Sequence, residues 1–148
     1  MTTTAHVDQH FDSLMDIFFA QYSDLEALLA LARREAVAAE QSDFERVLEI
    51  ACERASLGDR LEVYHRQLAE LRARLGEAYE PALATPVAAR TASLVERIRL
   101  EDARTCNLLI AARDQASKDA FRVDQTRRNL GAYARNAKPV SVACDKHI

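Results

Sequence analysis

The sequence predicts an all-α protein: an elongated antiparallel bundle, coiled-coil in character, of three long helices, with the third overhanging the other two and a flexible C-terminal tail. Three observations carry this reading. Only 3 Gly and 3 Pro occur in 148 residues, so helix-interrupting residues are nearly absent, and Pro81 and Pro86 fall close together. Apolar residues recur at spacings of three and four, the period of one helix face, with almost no period-two alternation. Ala, Leu, Arg and Glu dominate, all good helix formers, while an aromatic content of 6% without Trp suits narrow seams between long helices better than a thick globular core. The length fits one helical domain over residues 1–137, followed by a tail at 138–148.

The first helix is expected over about 7–40, where Phe11, Leu14, Phe18, Tyr22, Leu25, Leu29 and Ala32 mark one face. It breaks at Gln41-Ser42-Asp43, where Ser42 and Glu45 form a capping box that starts a second helix over about 43–78. Leu61, Tyr64, Leu68, Leu71 and Leu75 give that helix a strict three-four seam, and Phe44, Val47, Leu48, Ala51 and Ala55 give its first half a shallower one. Gly58 near the seam predicts the closest helix approach. Thr85-Pro86 reads as an N-cap followed by proline at the first helical position, opening a third helix over about 86–131 that Gly131 ends. Its seam runs through Val87, Thr91, Leu94, Ile98, Thr105, Leu108, Ala112, Ala116, Val123 and Leu130.

Short connections between long helices force antiparallel neighbours, hence an up-down-up arrangement. At 1.5 Å per residue the first two helices span roughly 50 to 55 Å and the third roughly 65 to 70 Å, so the third outruns its partners. The overhang is expected from about Val123, leaving Val123, Leu130 and Tyr133, with Val140 and Val142 in the tail, short of packing partners.

Charge and composition narrow the function classes. Residues 1–43 carry eight acids against two bases, and residues 103–148 carry nine bases against four acids. An acidic first helix beside a basic last one would attract across the packing seam. Arg113, Arg122, Arg127 and Arg128 alternate with Asp114, Asp119 and Asp124, so no clean positive stripe for nucleic acid forms. Cys52, Cys106 and Cys144 are odd in number and far apart, and the start Met-Thr-Thr-Thr-Ala-His lacks the marks of a secretory leader, so reduced thiols in a cytoplasmic protein are expected. No stretch is apolar enough for stable membrane insertion.

No phosphate-binding glycine loop, nucleophile elbow or paired Cys-x-x-Cys occurs, so no catalysis and no cofactor are expected. Glu62 and His65 form one Glu-x-x-His pair, but a carboxylate-bridged metal site in a bundle needs a second copy and two more inward glutamates, so no metal is expected. Arg72 with Glu77, and Glu96 with Arg99, read as ordinary surface pairs. The cluster Phe11, Leu14, Met15, Ile17, Phe18, Phe19 and Tyr22 wraps more than half of the first helix. Since a bundle buries one stripe per helix, Ile17 and Phe19 mark a second apolar surface for a second subunit or for a bound amphipathic helix.

The chain also carries Leu28-Leu29, Leu31 and Ala36 leading into Ser42-Asp43-Phe44-Glu45-Arg46-Val47-Leu48, then the leucine seam, then Asn107-Leu108-Leu109-Ile110, then Leu130-Gly131-Ala132-Tyr133. In this order and spacing it resembles the FlgN-like flagellar export chaperones, over most of its length. The resemblance implies a cytosolic all-helical chaperone whose C-terminal helical region grips an amphipathic C-terminal segment of a hook-filament junction subunit and delivers it to the export-gate protein. It implies client contacts at Ala116, Ala120, Val123 and Leu130, with Arg122, Arg127 and Arg128 meeting acidic client groups. It makes Tyr133 the gate-docking residue, followed here by Ala134 where the family often has glycine. A homodimeric coiled-coil adaptor without an export role is the competing expectation.

Overall fold

The computed structural model describes residues 2–137; the tail expected at 138–148, with Val140 and Val142, lies outside the described residues. Three long helices dominate the described residues: α1 (Thr2–Glu40), α2 (Phe44–Leu75) and α4 (Pro86–Asn136). A 3-10 turn, Gly76–Tyr79, and the single-turn α3 (Glu80–Leu83) join the last two. No strand occurs among the described residues. The all-α class and the three long helices are therefore as the sequence predicts. The helix expected to stop at Gly131 continues to Asn136, because glycine lowers helix propensity without forbidding the helix. Contacts divide the chain into two units, the first ending at Leu109 and the second beginning at Ile110.

In the first unit three apolar clusters follow one another along α1. Leu14 and Phe18 pack with Leu71, Tyr79, Ala82 and Val87. Leu25 and Leu29 pack with Leu94, Ile98 and the half-buried Leu61. Ala38 and Ala39 pack with Val47, Ile50, Leu108 and Leu109. The start of α1 thus meets the end of α2 and the start of α4, which is the up-down-up order that short connections impose. Ile17, expected on a second surface, is half-buried against the first cluster and belongs to the core. The connector contributes too: Tyr79 and Ala82 are buried, and the Arg72 guanidinium lies over the Tyr79 ring at 5.7 Å rather than pairing with Glu77.

The inward seam of α2 corrects the shallower one expected for its first half. Val47, Ile50 and Leu57 are buried, whereas Phe44, Leu48, Ala51 and Ala55 are exposed. The inward positions 47, 50, 54, 57, 61, 64, 68, 71 and 75 alternate steps of three and four without a break, and Arg54 occupies one of them. Gly58 is exposed, and a Cβ there would meet nothing within 4 Å. Close approach falls instead to small side chains on α1, since Ala32 and Ala36 are fully buried.

The α1–α2 corner also differs from the expected capping box. Ser42 has φ 58°, a left-handed backbone. Its N–H donates to the Ala39 carbonyl at 3.1 Å, and the Asp43 N–H donates to the Ala38 carbonyl at 2.9 Å. Those two bonds make a Schellman motif with serine in the place that glycine favours. Asp43, not Ser42, caps α2, its Oδ1 accepting from the Arg46 N–H at 3.1 Å. At the other corner α4 does begin at Pro86, but the Thr85 hydroxyl donates backwards to the Ala82 carbonyl at 2.7 Å.

Across the middle of the first unit runs a polar layer. Arg54 of α2 donates through Nη1 to Glu35 Oε2 of α1 and through Nη2 to Asp102 Oδ1 of α4 at 2.7 Å. Glu35 is buried, with 7% of its surface exposed. Burial acts to lower the Arg54 pKa, but the hydrogen bonds and charges of Glu35 and Asp102 outweigh it and hold the guanidinium above its ordinary value. Around this layer Arg104 of α4 bonds Glu40 of α1, and Arg33 of α1 lies 3.6 Å from Glu101 of α4. Further along, Arg60 of α2 grips Asp24 of α1 through two bonds of 3.0 and 2.7 Å. Burial and a hydrogen bond to Asp24 raise the Tyr64 pKa.

Two stability predictions follow from these features. Arg54→Ala leaves Glu35 buried without its partner and should cost about 2–3 kcal/mol, less than a fully buried pair because Asp102 reaches solvent. The double change Glu35→Leu with Arg54→Leu should recover most of that loss, and urea unfolding of both variants checks the pair. Ser42→Gly relieves the left-handed strain at the α1–α2 corner and should stabilise by about 0.5–1 kcal/mol in the same assay.

Candidate protein-interaction surface

The part of α4 in the second unit, residues 110–136, is a helix without a buried side chain. Every residue from Arg113 to Ala137 is exposed, so exposure becomes continuous well before Val123, where the overhang was expected. The apolar side chains on it stand out against that solvent: Ile110, Phe121 at 68%, Val123 at 53%, Leu130 at 64% and Tyr133 at 82%.

Helical periodicity sorts them onto faces. Ala116, Ala120, Val123, Arg127, Leu130 and Ala134 step by four and three and so share one face. Five of the expected client contacts, Ala116, Ala120, Val123, Arg127 and Leu130, are therefore brought together. Arg122 lies about 100° around the helix from Val123, on the side that Tyr133 also occupies. Tyr133 sits over a shallow depression formed with Asn129, Ala132, Asn136 and Ala137.

Phe121 was not foreseen. It faces nearly opposite to Val123 and lines a depression with Ser117, Lys118, Arg122 and Gln125. The usable signal was composition, because Phe121 and Tyr133 are the only aromatic residues after Tyr79 and neither falls on the seam of α4. On α1 the second expected surface reduces to Phe19, which is 59% exposed.

Electrostatics distinguishes the two units. Residues 1–109 carry 19 acids and 12 bases, a net −7, while residues 110–137 carry 6 bases and 3 acids, a net +3. The expected attraction between acidic α1 and basic α4 is made by Arg104 with Glu40, inside the first unit. Farther on, Arg113 pairs with Asp114 at 3.1 Å and Arg128 with Asp124 at 2.8 Å, within α4 itself. Lys118, Arg122, Arg127 and Arg135 have no ion-pair partner among the described residues.

Nothing gathered in the described residues suits a metal: no group of three or more His, Cys, Asp or Glu side chains is placed to hold one, and Glu62 and His65 are both exposed. Cys52 and Cys106 are free thiols at the surface. No helix among the described residues is long and apolar enough to cross a membrane. No protein-family model, curated protein or solved structure matches the chain.

The arrangement can bind, through an apolar-basic helix face. Because its apolar side chains are already in solvent, Val123→Ser and Leu130→Ser should each change unfolding free energy by less than about 0.5 kcal/mol. Ile50→Ala, which empties a core position 1% exposed, should cost about 2–5 kcal/mol; thermal unfolding of the three variants measures the contrast.

Proposed function

We propose that this chain is a cytoplasmic export chaperone of the FlgN-like type, working by protein binding and not by catalysis. Its client is a hook-filament junction subunit or a related exported flagellar subunit, held by an amphipathic C-terminal segment so that it does not assemble early. The observation that carries the reading is the exposed face of α4, where Val123 and Leu130 stand in solvent on one helix face with Arg127, Arg122 lying around the helix towards Tyr133, and neither arginine has an ion-pair partner among the described residues. An amphipathic helix with acidic flanks is the partner chemistry such a face fits. Tyr133, the most exposed of the large side chains here, serves as the anchor for the export-gate protein.

Deletion of residues 123–148 removes only exposed residues among those described, so the helical bundle should persist by circular dichroism while client capture is lost. Tyr133→Ala should leave client capture intact and reduce delivery to the gate, read as retained client in a pull-down with reduced export. Unfolding of the truncated chain, or loss of client and gate together in Tyr133→Ala, would overturn this division of roles.

A further inference from the structure

At the corner between the first two helices a groove of about 340 Å³ opens to solvent. Arg33, Val37 and Gln41 step by four along α1 with Arg34 and Ala38 beside them, and Arg46 and Ile50 step by four on α2. Its apolar part joins the buried Ala38 and Ile50 to Val37, which is 45% exposed. Three guanidiniums and one carboxylate, that of Asp43, line it, a net positive charge inside a unit whose own balance is negative. The Asp43 carboxylate is already engaged in capping α2. Arg34 has no ion-pair partner among the described residues. Arg33 lies 3.6 Å from Glu101, and Arg46 donates through Nη1 to Glu49 at 2.6 Å, so each keeps further donors for a second carboxylate. The C-terminus of α1 stands beside the N-terminus of α2, so the two helix dipoles offset each other and the arginines set the local potential.

We propose that this groove binds an acidic peptide segment of a partner protein. One aliphatic side chain of the segment rests on Val37, Ala38 and Ile50, and carboxylates to either side of it meet Arg33, Arg34 and Arg46. Guanidinium forks match carboxylates in shape as well as in charge, and the apolar patch between them selects a segment with a hydrophobic residue among its acids. A small molecule would keep much of its surface in water in so open a groove, whereas a peptide need place only a few side chains here and continue past. The surplus of acids over the rest of the first unit repels such a segment elsewhere and so favours this corner. Exposed charges supply much of the attraction, so the complex is weak and sensitive to salt. This inference stands apart from the export reading, because every residue lining the groove lies in the first unit and the exposed face of α4 takes no part.

Fluorescence anisotropy of a labelled peptide, four glutamates around a central leucine, should show saturable binding to the full chain at low salt that weakens as salt is raised. Arg34 and Val37 are exposed, so Arg34→Glu and Val37→Ser should keep the helix content seen by circular dichroism. Arg34→Glu should weaken peptide binding by roughly tenfold or more in Kd, and Arg34→Gln, which removes the charge and keeps a polar side chain, by less. Val37→Ser should weaken it by roughly threefold or more, through the lost apolar contact. Leu130→Ser, in the second unit, should bind the peptide as the wild-type chain does. Absence of saturable binding at low salt overturns the proposal, and so does equal binding of a peptide with serine in place of its leucine. Affinity unchanged by Arg34→Glu overturns it too, and affinity lost in Leu130→Ser does so by assigning the acidic peptide to α4.

Discussion

Arg54 is the side chain on which the order of the bundle turns. It sits at an inward position of α2 and reaches Glu35 on α1 and Asp102 on α4, so one guanidinium touches all three long helices. An apolar residue at this position would pack nearly as well after α2 slides by two turns, since leucine seams repeat every seven residues. A guanidinium between two carboxylates satisfies its donors in one register only. The contribution is therefore to uniqueness more than to net stability, because desolvating Glu35 offsets much of the attraction. Asp24 with Arg60 and Glu40 with Arg104 act on the same alignment from more exposed positions.

With register fixed, the exposure of α4 follows from length. α1 ends at Glu40 and α2 begins at Phe44, and the cluster that includes Val47 and Ile50 takes in Leu108 and Leu109. The burial of α4 fades after Ala112, although its helix continues to Asn136. An isolated helix of this length and composition is marginal in water, chiefly because nucleation is unfavourable. Here the packed turns from Pro86 onward supply the nucleus, so each further residue needs only propagation. Local pairs, Asp124 with Arg128 and Gln115 with Asp119, add support at the spacing and orientation that favour helices.

Much of this was legible in the sequence where side-chain chemistry and position agree. Leu14, Phe18, Leu25 and Leu29 on α1 and Leu94 with Ile98 on α4 are apolar at inward positions, and all are buried. The reading failed where chemistry and position diverge. In the first half of α2 the inward residue is an arginine, so hydropathy selected the neighbouring face with Phe44 and Leu48, which is exposed. Ser42 and Asp43 are both good cap residues, and only the backbone bonds of the corner tell that the serine ends α1 while the aspartate begins α2. Ile17 looked like surplus because a stripe one residue wide was assumed, whereas α1 must face α2, α4 and the buried Tyr79 and Ala82 together. On α4 the apolar period itself gave no sign of where burial stops, since Val123 and Leu130 keep the spacing of buried residues.

That continuity bears on what the exposed face is for. A helix that must form as it binds gives up part of its interaction energy to ordering, whereas residues 113–136 are helical before any partner arrives. Under the export reading proposed above, such a preformed face would need little apolar area to bind, its two aliphatic anchors being accompanied by arginines without ion-pair partners among the described residues. Affinity of this kind rests on charge for approach and on Val123 and Leu130 for residence. Phe121, turned nearly the other way on the same helix, is too far around to join them. It gives α4 a second apolar point, so a partner that wraps the helix meets an anchor on each side.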